Sequence, residues 1–112
     1  MDKNCIFCKI ASKQIPSEIF WEDDDFFTIF DIYPKVKNHL LLIPKLHFRI
    51  LEDAPSHLLE RMMPTTQKVV KLLQIKYDFT DFNLALNNGV LAGQEIPHLH
   101  LHILPSANSY SK

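Results

Sequence analysis

The stretch Pro97-His98-Leu99-His100-Leu101-His102-Ile103-Leu104-Pro105 alternates histidine with large apolar residues. A period of two is the pattern of a strand, whose side chains point alternately to opposite faces. It predicts His98, His100 and His102 on one face and Leu99, Leu101 and Ile103 on the other, toward a core. Same-face neighbours stand roughly 6.6 Å apart along a strand, so one ligand can touch two of the rings. The flanking prolines limit the strand. One buried histidine is usually a hydrogen-bonded core residue. Three on one face each need a donor and an acceptor partner, which an apolar core supplies poorly. The run therefore marks a candidate site, and the fold must be one that lays a strand through it.

The rest of the chain supplies further strands and one long helix. Ile6, Phe7 and Ile10 suit a short N-terminal helical turn. Glu18–Glu22 and Phe26–Asp31 read as strands of a hairpin around the turn Asp23-Asp24-Asp25, taken here as a solvated tip. Residues 32–38 form a loop containing Pro34. His39–Ile43 is continuously apolar after its histidine, as in a central strand covered on both faces. A helical pattern follows Asp53-Ala54-Pro55-Ser56, with Leu59, Met62, Met63, Thr66, Val69, Val70, Leu73 and Tyr77 at helical spacing. Pro64 lies inside it. Proline costs about 3 kcal/mol in an unbroken helix. A kink is predicted, or two helices with Pro64 in the first turn of the second. His57 reads as a solvated helix residue. Phe82–Asn87 reads as another strand, residues 88–95 as a loop, and the tail from about Ala107 as frayed. Grouped strands with one main helix predict an α+β fold with about five antiparallel strands.

With 112 residues the chain is sized for a single domain, 1–112. A net charge of −1 gives no basic footprint for general nucleic-acid binding. No apolar run approaches the length of a membrane span. The N-terminus leads into no signal-peptide core. Two cysteines in C-x-x-C spacing then suggest a reducing compartment, and a cytoplasmic location is expected.

Neutral imidazole is a nucleophile near neutral pH. One ring nitrogen must present its lone pair while the other holds its proton against an acceptor. A second histidine on the same face can hold an oxyanion or assist a leaving group. The chain's only glycines, Gly89 and Gly93, fall in the preceding loop. Such a loop can turn backbone N–H groups toward a phosphate. This combination fits phosphoryl or nucleotidyl transfer through a covalent histidine intermediate. A rival use of the histidines is metal ligation, as in zinc hydrolases. Cys5 and Cys8 alone are compatible with a metal site, a redox pair or buried thiols. If they bind zinc, fourfold coordination needs two more ligands, and His47 and His98 are available at strand ends. His98 would then be structural, leaving His100 and His102 for chemistry.

His98-Leu99-His100-Leu101-His102-Ile103-Leu104 resembles the signature of the histidine triad family. Phe30-Asp31-Ile32-Tyr33-Pro34 together with His39–His47 resembles that family's upstream block, and Asn87–Glu95 resembles its phosphate loop. The resemblance spans roughly Cys5 to Pro105 and is nearest to the short Hint-like and bacterial nucleotide-hydrolase branch. It implies a hydrolase or transferase acting at the α-phosphate of adenosine nucleotides, either phosphoramidates or dinucleoside polyphosphates. By resemblance, His100 is the nucleophile, His102 contacts phosphate and assists the leaving group, and His39 supports the nucleophile. Asp31 and Ile32 fall at the ribose. Asn87, Gly93, Gln94 and the backbone of Glu95 fall at the phosphates. Ile6, Phe7, Ile10 and Ile29 fall at the adenine pocket. Cys5, Cys8, His47 and His98 fall on the structural zinc ligands of zinc-containing members, with no metal expected at the reaction centre. The resemblance also implies a homodimer joined across the long helix and adjoining strand. The tail after the triad lacks the arginine many members carry.

Two alternatives stand beside this reading. One is a zinc-dependent hydrolase with the metal at the triad. The other is a nucleotide-binding or scaffold module with little catalysis.

Overall fold

A computed structural model describes residues 3–111. Its main elements are α1 (Ile6–Ala11), β1 (Ile19–Glu22), β2 (Phe26–Phe30), β3 (Leu40–Pro44), α2 (Ser56–Tyr77), β4 (Phe82–Ala85) and β5 (Leu101–Pro105). The five strands form one antiparallel sheet in the order β1-β2-β3-β5-β4. The expected architecture is thus observed.

Side-chain alternation divides the sheet into two apolar layers. Phe26, Leu40, Leu42, Leu101 and Ile103 pack with Leu58, Met62, Val69, Val70 and Leu73 of α2. Phe27, Ile29, Leu41 and Ile43 pack on the opposite face with Phe7, Cys8 and Ile10 of α1. The central strand β3 is buried along its whole length, as its unbroken apolar run requires. The histidines project from the α1 side, while Leu99, Leu101 and Ile103 enter the α2 layer.

The histidine strand is shorter than the alternation predicts. Only residues 101–105 belong to β5, and its ladder with β3 begins at Leu42↔Leu101. β3 ends at Pro44, which has no N–H to extend the ladder. Upstream of Leu101 the backbone is held by other bonds: His98 N–H to Ile96 O at 2.8 Å and Leu99 N–H to Phe48 O at 2.9 Å.

The helix α2 also departs from expectation. It runs as one element through Pro64 rather than as two helices. Pro64 and Glu60, whose carbonyl loses its donor, both lie on the exposed face, where water can substitute. A single residue of offset, about 100° around the helix, separates Leu58, which is buried, from Leu59, which is not. The helix ends at Asp78, whose left-handed backbone returns an N–H to Gln74 O at 2.8 Å.

The acidic turn is more than a solvated tip. Asp23 Oδ1 accepts from Asp25 N–H at 2.9 Å and Phe26 N–H at 2.8 Å. Arg61 of α2 donates to Asp23 Oδ2 at 2.9 Å and also pairs with Asp25. The hairpin is thereby tied to the helix, a long-range pairing that local sequence cannot reveal.

Candidate active site and metal centre

Four soft or borderline donors converge where α1 meets the start of the histidine run. Cys5 is the N-cap of α1, and its sulfur accepts from Cys8 N–H at 3.5 Å. The C-x-x-C spacing brings both sulfurs to one end of that helix. Cys5 Sγ lies 3.3 Å from His98 Nδ1, and Cys8 Sγ lies 3.3 Å from His47 Nδ1 and 3.6 Å from His98 Nδ1. The two Nδ1 atoms are 3.1 Å apart. A tetrahedral zinc with ordinary Zn–S and Zn–N bonds requires donor separations of roughly 3.3–3.8 Å. The donor set fits zinc in chemistry, and its sulfur–nitrogen separations of 3.3–3.6 Å fall in that range, with the two nitrogens slightly closer at 3.1 Å. His98 is also correctly prepared: its Nε2–H donates to Pro44 O at 2.7 Å, which leaves the Nδ1 lone pair facing the other donors. Burial pushes the Cys5 thiol up, so a bound cation would be needed to hold it as thiolate.

The remaining triad members sit beside this centre. His100 is buried with Phe7 against its ring at 5.3 Å. Its Nδ1–H donates to the backbone oxygen of His98 at 2.8 Å. A carbonyl can only accept, so His100 Nε2 carries the lone pair. This is the tautomer a nucleophile needs. His102 stands 4.9 Å from His100 between ring centres, and its Nδ1 is 2.8 Å from His39 Nε2.

Burial is the main reason His102 is pushed down to about 4, with positive charge on His100, His39 and Lys35 adding to it and Asp31 opposing. Burial also lowers His39, with Asp31 acting the other way. Both rings are therefore neutral at neutral pH. Behind them, His39 Nδ1 accepts from Lys35 N–H at 3.2 Å. Asp31 Oδ1 accepts from Tyr33 N–H at 2.9 Å, while Oδ2 stays 3.7 Å from His39 Nδ1.

Among the described residues, the donor sets able to hold a metal are Cys5/Cys8/His47/His98 and Asp31/His39/His102. No set joins His98, His100 and His102, so the geometry gives the rival triad-metal reading no common ligand cluster.

The glycine loop is well tied. Gly89 and Gly93 adopt φ of 98° and 96°, which disfavour any side chain. Gln94 is buried, and its amide is spent on the loop itself. Oε1 accepts from Gly89 N–H at 2.8 Å, and Nε2 donates to Arg49 O at 2.7 Å and Ile96 O at 3.0 Å. Asn88 accepts from Leu51 N–H at 2.7 Å and donates to Glu52 at 2.7 Å. A Cβ on Gly93 would stand 3.8 Å from Asn87 Nδ2, so Asn87 adjoins the base of the loop. Glu95 is exposed. Of the expected base-pocket residues, Phe7, Ile10 and Ile29 are buried in the α1-side core. Ile6 is exposed on the surface, as is Ile32 of the expected ribose site. The roles of Pro44 O and Lys35 N–H went unpredicted, since backbone groups leave no mark in residue identity.

Residues 12–109 match the family model of the HIT domain. The chain belongs to the histidine triad family. Protein HitA of Neisseria gonorrhoeae is 45% identical over 105 residues, covering 90% of this chain and 94% of its own. Adenosine 5'-monophosphoramidase HNT1 of Saccharomyces cerevisiae is 35% identical, covering 99% of this chain and 68% of its own. The crystal structure of a Zn-bound histidine triad family protein from Mycobacterium smegmatis superposes with a TM-score of 0.87 at 33% identity, covering 96% of this chain and 78% of that one.

Proposed function

We propose that this histidine triad protein is a nucleotide hydrolase or transferase acting at the α-phosphate of adenosine nucleotides, through a nucleotidylated His100. The observation that carries the reading is the 2.8 Å bond from His100 Nδ1–H to His98 O. It fixes the lone pair on Nε2, toward a bound phosphate. That nitrogen attacks phosphorus, the leaving group departs, and water then hydrolyses the N–P bond. His102 offers a donor beside it, and His39 positions His102. Asp31 and Ile32 receive the ribose. Asn87, Gly93 and the backbone of Gln94 and Glu95 receive the phosphates, while Ile6 and the edge of Phe7, Ile10 and Ile29 receive the base. The relative HNT1, named as an adenosine 5'-monophosphoramidase, supports this substrate class.

Zinc fits Cys5, Cys8, His47 and His98 as a closed structural centre; such a metal supplies folding energy and leaves no open position for substrate. A zinc-bound relative of known structure supports this assignment. The protein is further read as a single-domain, cytoplasmic homodimer. A groove of about 380 Å³ between α2 and the edge strand β4, lined by Met63, Val70, Phe82 and Leu84, supports the dimer.

The test is to mix the protein with labelled adenosine nucleotide, quench rapidly and look for adenylate on a histidine. His100→Ala is expected to abolish both the adduct and turnover while retaining the fold and the zinc content. Full turnover in that variant would reject the assignment.

A further inference from the structure

We propose that Tyr110, in the tail beyond the histidine strand, is a positioning residue for the nucleotide site: its hydroxyl fixes the loop 32–38, which orients His39 and Asp31. This rests on the reading of His39 and Asp31 as parts of that site. It adds a residue from the far end of the chain that no motif marks.

The tail, expected to fray from about Ala107, is instead held against the turn that follows α2. Phe79 and Tyr110 pair as an antiparallel bridge. Thr80 N–H donates to Ser109 O at 3.1 Å, and Ser111 N–H donates to Asp78 O at 3.0 Å. The half-buried Tyr110 ring packs on Phe79 with centres 5.7 Å apart, and Lys37 Nζ lies 5.1 Å from its centre. With the ring fixed there, its hydroxyl reaches the loop. It donates to Lys37 O at 3.0 Å and accepts from Asn38 Nδ2 at 3.0 Å. One hydroxyl thus serves as donor and acceptor to two successive loop residues.

The loop needs such a hold. Residues 32–35 and 37 are exposed, so apolar packing does little to fix them. Among the described residues, the hydrogen bonds that tie residues 32–38 to a segment distant in sequence are the two at Tyr110. The loop's own backbone then serves the site. Tyr33 N–H donates to Asp31 Oδ1 at 2.9 Å, and Lys35 N–H donates to His39 Nδ1 at 3.2 Å. His39 N–H returns to Val36 O at 3.3 Å. His39 in turn stands 2.8 Å from His102 between ring nitrogens.

A displaced loop carries both of those amides away with it. The Asp31 carboxylate and the His39 ring each lose a bond that sets their orientation, and His102 loses a fixed neighbour. Tyr110 itself bonds to neither His39 nor Asp31, so it acts on their geometry through the loop. Small errors in that geometry are costly, because a productive arrangement of reacting groups tolerates little displacement.

The test is Tyr110→Phe in the full chain, which removes the hydroxyl and keeps the ring on Phe79. Its melting temperature is expected to stay within a few degrees of the wild type. In the ligand-free protein, hydrogen exchange at the Lys35 amide is expected to quicken about tenfold relative to Leu42 of β3, and the His39 ring ¹⁵N resonances to shift. Adenosine monophosphate is expected to bind about three- to tenfold more weakly, with nucleotidylation of His100 slowed by a similar factor. The control is Ser109→Ala, which removes a hydroxyl 2.8 Å from Ser106 O and 3.0 Å from Asp81 O. It loosens the tail without touching the loop and is expected to leave these site readouts unchanged. Unaltered Lys35 exchange and His39 resonances in Tyr110→Phe overturn the link between tail and loop. A loosened loop with unchanged binding and nucleotidylation makes the tyrosine merely structural and overturns the positioning role. Equal losses at the site in Ser109→Ala assign the effect to tail docking and overturn the role of the hydroxyl. Wild-type protein that neither binds adenosine monophosphate nor forms the adduct rejects the nucleotide reading and the positioning role with it, while exchange in the ligand-free protein judges the contact between Tyr110 and the loop independently.

Discussion

His102 shows how one ring's surroundings set both its chemistry and its share of stability. Burial and neighbouring positive charge hold its folded-state value at about 4, far below the ordinary 6.5. A histidine that binds a proton in the unfolded chain but not in the native one favours unfolding at low pH. Its contribution is fully present above 6.5 and is withdrawn as pH falls from there toward 4. The His102 resonances are expected to titrate near pH 4. The urea midpoint is expected to fall between pH 7 and pH 4.5 by more in the wild type than in His102→Gln. Titration near 6.5 would refute the buried-neutral description. The His98 residue serves two neighbours at once. Its ring reaches toward the cysteines, and its carbonyl holds His100 at 2.8 Å. Cys8→Ser, or treatment with a strong chelator, is therefore expected to cost several kcal/mol of stability. Calorimetry alongside zinc analysis checks this, and an unchanged melting temperature after complete metal removal would count against a structural centre.

The helix α2 carries the fold's most visible local conflict. Pro64 sits in its interior, where the missing N–H and the ring's clash with the preceding turn normally cost about 3 kcal/mol. The helix persists because its inner face, from Leu58 through Leu73, is bound to the sheet, and tertiary packing outweighs propensity. Pro64→Ala restores one backbone bond on an exposed face. It is expected to stabilise the protein by about 1–3 kcal/mol, read from the urea midpoint. The same outer surface includes Met63, which with Leu84 of β4 remains exposed. Exposed apolar side chains beside an unpaired sheet edge fit an interface between copies. Leu84→Asp is expected to shift the species measured by light scattering toward monomer. A wild-type protein that is monomeric at micromolar concentration would remove this reading.

At the scale of the whole molecule, the sheet brings distant segments to one centre. His39 at the head of β3, the cysteines of α1 and the histidines around β5 are separated by up to 93 residues, yet meet within hydrogen-bonding range. Much of this was legible. Strict alternation at 97–105 exposes the two faces of a strand because side-chain direction reverses at every residue. The apolar run of β3 betrays burial on both faces. The four converging donors agree with ligand counting. The sequence by itself therefore determined the strands, the long helix and which side chains are candidates for the site, since periodicity and residue chemistry are local properties. Only the tertiary structure decided that α2 crosses Pro64 unbroken, that Arg61 clamps the hairpin, and that His98 and His100 each turn one ring N–H to a backbone carbonyl. Those outcomes depend on packing and on backbone groups brought from far along the chain, and a backbone amide or carbonyl is the same at every residue that carries one.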